Sequence, residues 1–178
     1  MKFFFQDKKK LAKGFTLIEL IVVFSVIAIL SMAGLAAFVT YSRQQTINTV
    51  AQDIKTMIFN ARSRASSQVS LCASGQKFGG YLVLFCPKTD ACAACNVSSG
   101  YQLDIRCDGA DSLVAGTTKA LPAYVSVGTT SHTLLFNPIS GTVSSPCDSP
   151  TSSSWNVSVS GWGKTTPAIY VNANGIIK

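Results

Sequence analysis

The sequence contains no proline before Pro87, a single histidine and few acidic side chains. Proline removes a backbone hydrogen bond from a helix and clashes with the preceding turn, so its absence leaves nothing that must break a helix early in the chain. The single histidine, His132, has no serine or cysteine nucleophile motif beside it, and we expect it at the surface or at a strand edge. We predict that the chain is not an enzyme and needs no cofactor.

Positive charge is unevenly distributed along the chain. Of the formal net charge of +7, a net +4 lies in residues 1–14, where five lysines face only Asp7. Only +3 remains for the rest of the chain. A charge this small does not indicate a basic surface for anionic partners, so nucleic acid is not an expected partner.

Residues 15–38 are almost all apolar, with Glu19 as their only charge. A membrane-spanning helix needs about 20 apolar residues, and this run is long enough. A secretory signal peptide would have a shorter apolar region of about 7–15 residues, followed by a small-residue cleavage site. We predict a single membrane span, with the basic residues 1–14 in the cytoplasm and the remainder of the chain facing outward.

Residues 39–68 continue the helix with a different pattern. Apolar residues recur there at steps of three and four among polar ones, which is typical of a helix with one buried face. Only Gly34 interrupts the run, so we predict one helix across residues 15–68. The apolar positions of the second half are Ile47, Val50, Ala51, Ile54, Met57, Ile58, Ala61 and Ala65.

Residues 69–178 have a different composition, with all six prolines, many serines and threonines, and short β-type runs. Six runs are predicted to be strands: residues 80–86, 101–107, 123–127, 133–137, 155–160 and 168–172. We predict an α+β fold in which the second half of the helix packs on an antiparallel β-sheet head. The chain then divides into a leader (1–14), a membrane helix (15–38), an amphipathic helix (39–68) and a head (69–178).

All six cysteines lie after the predicted helix: Cys72, Cys86, Cys92, Cys95, Cys107 and Cys147. An even number behind a membrane-directed N-terminus indicates disulfides formed outside the cytoplasm, with many possible pairings. The Cys92-Ala-Ala-Cys95 spacing, with Cys86 and Cys107 nearby, leaves open an exported redox or zinc-binding domain on a simple anchor. Carboxylates Asp104, Asp108 and Asp111 lack a calcium-loop spacing, and Asp108-Gly109 is better explained as a turn.

Glu19 is the most informative single residue, because a carboxylate inside a membrane span costs a few kcal/mol unless it finds a partner. If the chain is cut after Gly14, Phe15 gains an α-amino group with a reference pKa of about 7.7–8.0. Subunits displaced along a filament axis would bring Phe15 of one beside Glu19 of the next. Each charge would then neutralise the other.

The block Lys13-Gly14-Phe15-Thr16-Leu17-Ile18-Glu19-Leu20, followed by an apolar helix, resembles the signal of the type IV prepilin family. The resemblance implies cleavage between Gly14 and Phe15 by a prepilin peptidase, N-methylation of Phe15, and a role for Glu19 in subunit recruitment and registry. It also implies an inner-membrane assembly platform, a cytoplasmic ATPase and other pilin or pseudopilin subunits as partners. The precursor is expected in a bacterial inner membrane, and the assembled filament in the periplasm or outside the cell.

Two later segments, TLLFNPISGTV and AIYVNANGIIK, are similar to minor pilins and to H-type minor pseudopilins of type II secretion. This similarity implies a minor subunit of a type IV pilus or of a secretion pseudopilus. Two departures from the family pattern stand out. Ala36 occupies the place of a helix-loosening proline, and Gly175 is followed by Ile176 instead of the arginine of DNA-uptake minor pilins, which leaves DNA uptake only as an alternative.

Overall fold

The computed structural model describes residues 14–86, 98–108, 110–146 and 153–178, without the side chain of Ala33. The predicted leader up to residue 13, and Cys92, Cys95 and Cys147, lie outside the described residues. Contacts divide the chain into two units, with the boundary between Tyr41 and Ser42.

One helix, α1, runs over Leu17–Ser66, close to the predicted residues 15–68. Within the first unit its surface is apolar and uncovered. Every large apolar side chain from Phe15 to Tyr41 is exposed, with exposed fractions from 37% at Val39 to 77% at Leu17. Such a continuous apolar surface requires an apolar environment or a partner.

In the second unit, α1 presents one buried stripe to the head. The buried positions follow steps of three and four residues, the spacing that keeps side chains on one face of a helix. We call this set the helix stripe: Ile47, Val50, Ile54, Ile58, Ala61 and Ala65, each at most 7% exposed. The two alanines occupy the last turns, where a small side chain allows close approach of the helix to the strands.

The head contains two antiparallel sheets, which confirms the predicted α+β fold of a helix packed on an antiparallel β head. The larger sheet has the order β3-β2-β1-β6-β7, with β4 beside β2, and the smaller has the order β10-β8-β5, with β9 beside β8. The strands are β1 Phe78–Cys86, β2 Gly100–Cys107, β3 Ala110–Leu113, β4 Lys119–Ala120, β5 Val125–Thr129, β6 Thr133–Phe136, β7 Val143–Ser144, β8 Ser154–Gly161, β9 Lys164–Thr165 and β10 Ile169–Asn172.

Both sheets contribute to one core with the helix stripe. In the larger sheet, Val83 lies opposite Leu103 on one side and Leu134 on the other, so the three form a row across β2, β1 and β6. In β8 of the smaller sheet, Val157 and Val159 are fully buried and belong to the same core. Alternation along each strand places these side chains toward the helix.

The second face of the larger sheet is also buried. Leu82, Leu84 and Leu135 form a separate apolar cluster there, and the neighbouring Gln102 and Asp104 are buried as well. A strand that is covered on both faces has no polar side, which explains the continuous apolar run of β1.

A disulfide between Cys72 and Cys107 ties the segment after α1 to the end of β2, with 5.7 Å between the Cα atoms. The Tyr81 hydroxyl donates a hydrogen bond to the Val69 carbonyl, 2.8 Å away, and holds the same segment. Cys86 is disulfide-bonded too, to a cysteine outside the described residues. The predicted disulfide-containing β head is therefore confirmed.

The helix ends in a Schellman motif. The Val69 N–H donates to the Arg64 carbonyl and the Gln68 N–H to the Ala65 carbonyl, while Gln68 has a φ of 54°. This pattern of two reverse bonds around a left-handed residue satisfies carbonyls that the helix leaves free. Glycine normally occupies the left-handed position, because a Cβ there is strained.

All six strands predicted from the pattern are present, with ends shifted by at most two residues. The pattern missed β3, β4, β7 and β9, which have two to four residues each. A strand of two residues shows no alternation, and β3 (ADSL) contains no β-branched or aromatic residue that would mark it as a strand. These strands form because a longer neighbouring strand offers free backbone groups.

Replacing Gln68 with glycine is expected to stabilise the protein, because glycine adopts the left-handed conformation without a Cβ clash. The gain should be about 0.5–1 kcal/mol in unfolding free energy. Denaturant unfolding of the oxidised protein in detergent measures it. Gln68→Ala is the matched control, since it keeps the Cβ and should bring no gain; an equal gain for both variants would contradict the motif.

The double variant Cys72→Ala/Cys107→Ala is expected to lower the unfolding free energy by about 3–4 kcal/mol, because a loop of this size is released in the unfolded chain. The bridge spans 35 residues of sequence. The same denaturant titration tests this, with the Cys86 bridge left intact. A decrease in unfolding free energy of less than about 1 kcal/mol would show that the bridge hardly restricts the unfolded chain.

Candidate functional site

The start of α1 contains the residues that the sequence singled out. Gly14 and Phe15 precede the helix and are exposed, and Phe15 is 76% exposed. Thr16 caps the helix: its Oγ1 accepts from the Glu19 N–H at 3.3 Å and its carbonyl accepts from the Leu20 N–H at 3.2 Å. A bond between Gly14 and Phe15 is thus accessible, immediately before a defined helix start.

The cap at Thr16 was not recognised from the sequence, although its signal was present. Thr16 and Glu19 have the T-x-x-E spacing of a capping box, in which a hydroxyl satisfies a free N–H of the first turn. The same four residues belong to the prepilin-like block, so one short segment contains both a helix start and a processing pattern.

Glu19 lies in the first turn of α1 and is exposed. A carboxylate there interacts favourably with the positive end of the helix dipole. An ion pair joins Arg106 to Asp111 in the head, whereas Glu19 has no ionic partner among the described residues. Its side chain is available to a group from outside the chain.

Helix α1 is long and apolar enough to cross a membrane, by length and composition. No residue of its most apolar window is buried. A soluble core helix of that composition would be covered by its own chain, and the first unit provides no such cover.

The polar candidates of the head do not converge. Asp111 forms a bidentate ion pair with Arg106, with N–O distances of 2.6 and 2.8 Å. Asp108 accepts a hydrogen bond from the Lys77 N–H at 2.9 Å. The buried Asp104 accepts a hydrogen bond from the Gln102 side-chain amide. Asp108, with a φ of 49°, lies in a turn, as its sequence context predicted. No group of three or more metal-ligating side chains occurs in the part of the chain that the structure describes.

His132 is half-buried directly before β6, and its carbonyl accepts from the Phe85 N–H at 2.9 Å. This hydrogen bond extends the pairing of β1 with β6, and it involves only the backbone of His132. The imidazole contributes to no group of metal ligands among the described residues.

Two C-terminal segments, residues 133–143 and 168–178, meet at the end of α1. Gly141 and Gly175 both have positive φ, and a Cβ on Gly175 would lie 2.3 Å from the Gly141 carbonyl oxygen and 3.0 Å from Nε of Arg62. The Ile139 N–H donates to the Ala65 carbonyl of α1. Arg62 is half-buried against these two glycine turns.

A cleft of about 220 Å³ lies between α1 and the β2–β4 side of the larger sheet. Its walls include Asp53, Asn60, Arg64, Tyr101 and Lys119. Burial, and to a smaller extent the charge of Asp53, raise the pKa of Tyr101 to about 12. The Tyr101 phenol in this cleft is therefore protonated near neutral pH.

The Tyr101 hydroxyl is expected to titrate with a pKa of about 12, and the protein should lose stability as the pH rises from about 10 toward 12. The sign follows because the folded state holds the proton that the unfolded phenol has already released. Phenolate absorbance of the parent minus that of Tyr101→Phe measures the pKa. Asp53→Asn should lower the pKa only slightly, because burial is the larger cause; titration of Tyr101 near its ordinary pKa of 10 would contradict its burial.

Comparison with known proteins gives one match. A model of the prokaryotic N-terminal methylation motif matches residues 9–35, which include the Gly14–Glu19 segment and most of the apolar helix surface described above. No curated protein and no solved structure matches the chain. The chain therefore carries a type IV prepilin-like N-terminal signal, which supports a type IV pilin-like precursor.

Proposed function

We propose that the chain is a minor subunit of a type IV pilus or of a type II secretion pseudopilus. It is cut between Gly14 and Phe15, methylated on the new amine of Phe15, and assembled through the first part of α1. The observation that supports this most directly is the methylation motif on residues 9–35, which overlaps the first part of α1, where every large apolar side chain up to Tyr41 is exposed.

The exposed helix surface supports storage in a bilayer followed by transfer into a filament. Lipid chains and neighbouring helices are both apolar environments, so the side chains of residues 15–38 can move from one to the other at little cost. Prepilin peptidase, the inner-membrane assembly platform and other pilin or pseudopilin subunits are the partners that this route requires. The basic leader stays on the cytoplasmic side before processing.

Glu19 is proposed to pair with the Phe15 amine of a neighbouring subunit. The structure supports this pairing in two ways, since Glu19 is exposed and has no ionic partner among the described residues. An unpaired charge inside an apolar filament core is strongly unfavourable, so the contact selects one axial displacement between subunits. Registry and charge neutralisation then depend on the same pair.

A minor role is supported by the similarity of the two C-terminal segments to minor subunits, and by their meeting at Gly141, Gly175 and Arg62. Pilus and pseudopilus remain joint candidates within this proposal. DNA uptake is the alternative that the net charge of the head supports least.

An exported redox or metal-binding domain is the alternative from another class. Its metal-binding form needs free thiols, but Cys107 is bonded to Cys72 and Cys86 is also disulfide-bonded. Intact mass before and after reduction, with zinc analysis, separates the two: bridges and no metal support structural disulfides, whereas bound zinc with free thiols would support the alternative.

The central expectation is a mature chain that begins at methylated Phe15. Mass analysis of the protein from cells with an active prepilin peptidase tests it. A chain that begins at Met1 in those cells would refute the proposal.

Glu19→Gln is expected to be processed and inserted normally but to enter filaments at least about tenfold less, because the amine of the neighbour is left unpaired. Glutamine preserves the side-chain size and the backbone cap at Thr16. Thr16→Ala is the matched control: it weakens the helix start by about 1 kcal/mol but keeps the charge, and filament incorporation should largely persist. Equal defects in both variants would assign the effect to helix formation instead.

A further inference from the structure

Arg43, Tyr124 and Trp162 form a surface cluster on the second unit, in which Arg43 and Tyr124 are exposed and Trp162 is half-buried. We call it the aromatic cluster. The guanidinium carbon of Arg43 lies 5.8 Å from the centre of the Trp162 ring, and the Tyr124 and Trp162 rings are 6.4 Å apart. The three residues come from α1, from the loop before β5, and from the turn between β8 and β9. Separate parts of the chain thus bring two aromatic rings and a cation together.

Both aromatic residues occupy turn positions that normally select glycine or asparagine. Trp162 (φ 49°) and Gly163 (φ 75°) form the two-residue loop between β8 and β9, and two positive φ values are the pattern of a type I′ turn. Tyr124 (φ 65°) is the third residue of a turn closed by the hydrogen bond from the Val125 N–H to the Pro122 carbonyl. Strained bulky residues at two adjoining turns indicate selection for function and not for stability.

The neighbouring Gly161 makes the meeting of these turns possible. A Cβ on Gly161 would lie 2.8 Å from the Tyr124 carbonyl oxygen, so any other residue would push the two turns apart. Trp162 packs partly against the core, whereas Tyr124 is 82% exposed, the highest value among the large apolar side chains of the described residues. The cluster therefore has a supported inner edge and an uncovered outer edge.

The charge around the cluster has one sign. Residues 39–47, 121–129 and 158–167, which supply the cluster and its flanks, contain Arg43 and Lys164 and no acidic residue. Exposed tryptophan and tyrosine with flanking cations are the side chains that collect at membrane–water interfaces. Anionic headgroups attract such cations from within about a Debye length.

Chain connectivity keeps the aromatic cluster near the end of the predicted span. Arg43 is five residues after Phe38, and five residues reach at most about 18 Å even when fully extended. This limit holds however the two units are arranged. Trp162 contacts Arg43. When the predicted span lies in the bilayer, the cluster therefore stays close to the bilayer surface at the C-terminal end of the span.

We infer that the aromatic cluster docks the head of the membrane-stored precursor on the anionic phospholipid headgroups of the outer leaflet, before assembly into a filament. This inference rests on the proposed membrane-stored state. Docking would hold the head in one orientation beside the bilayer, and extraction into a filament would release it. The strained turns are then explained, because they place both rings at the height where headgroups meet acyl chains.

The test uses the full-length protein reconstituted in phosphatidylcholine vesicles with or without phosphatidylglycerol, containing lipids brominated high on the acyl chain. Trp155 is buried, at 4% exposure, so Trp155→Phe leaves Trp162 as the reporter. We expect bromine to quench Trp162, more strongly with phosphatidylglycerol and less at high salt. If Trp155→Phe does not fold, the difference between the parent and Trp162→Phe provides the same signal.

Two variants distinguish docking from a purely structural role. Arg43→Gln should lower the ratio of docked to free heads by about fivefold in anionic vesicles. Tyr124→Gly should reduce quenching while leaving stability to denaturant unchanged or higher, because it relieves the strained φ. Tyr170→Ser, on a side chain outside the cluster that is 52% exposed, is the matched control and should leave quenching unchanged.

Failure of docking and failure of the proposed function give different results. Protein that does not float with the vesicles contradicts the membrane-stored state, and docking falls with it. Protein that floats while Trp162 is quenched by aqueous acrylamide and not by bromine refutes docking alone. Shielding of Trp162 from both quenchers would show that a second copy of the chain covers the cluster, and it would also refute lipid docking.

Discussion

The helix stripe from Ile47 to Ala65 is the contact on which the rest of the head depends. Neither sheet can bury its inner face alone, and the stripe lies in one core with both. Burying each isoleucine of the stripe contributes about 1.5–3 kcal/mol, so these few side chains account for much of the driving force for attaching the helix. The disulfide between Cys72 and Cys107 and the Schellman motif at Gln68 act beyond the stripe, where the chain leaves the helix.

The two parts of α1 have different surroundings, and these determine where a charged side chain can be tolerated along the helix. Up to Tyr41 its large apolar side chains are uncovered, and from Ile47 onward its buried apolar side chains lie on one face. A charge on the first part needs a partner from another molecule, which is why Glu19 is informative there. Charged residues on the second part, such as Lys55, can lie in water without cost.

Sequence reasoning succeeded where a pattern was long. A run of 24 residues that are almost all apolar and a stripe at three- and four-residue steps predict the helix. Strands rich in β-branched and aromatic residues were found too, even β6 and β10 with four residues each. It failed for β3, β4, β7 and β9, which exist because longer neighbours pair with them. No local pattern could predict the partial burial of Arg62, because the two glycine turns that contact this side chain come from residues far along the chain.

The sequence by itself determined the helix, the α+β class and the prepilin-like signal, because all three depend on local order: an apolar run, its period, and a short block around Gly14 and Glu19. Only the tertiary structure decided that there are two sheets, that Cys72 pairs with Cys107, and that Arg43, Tyr124 and Trp162 meet. These features join residues that are distant along the chain. Their pairing follows from how the core closes around the helix stripe, and no local pattern encodes it.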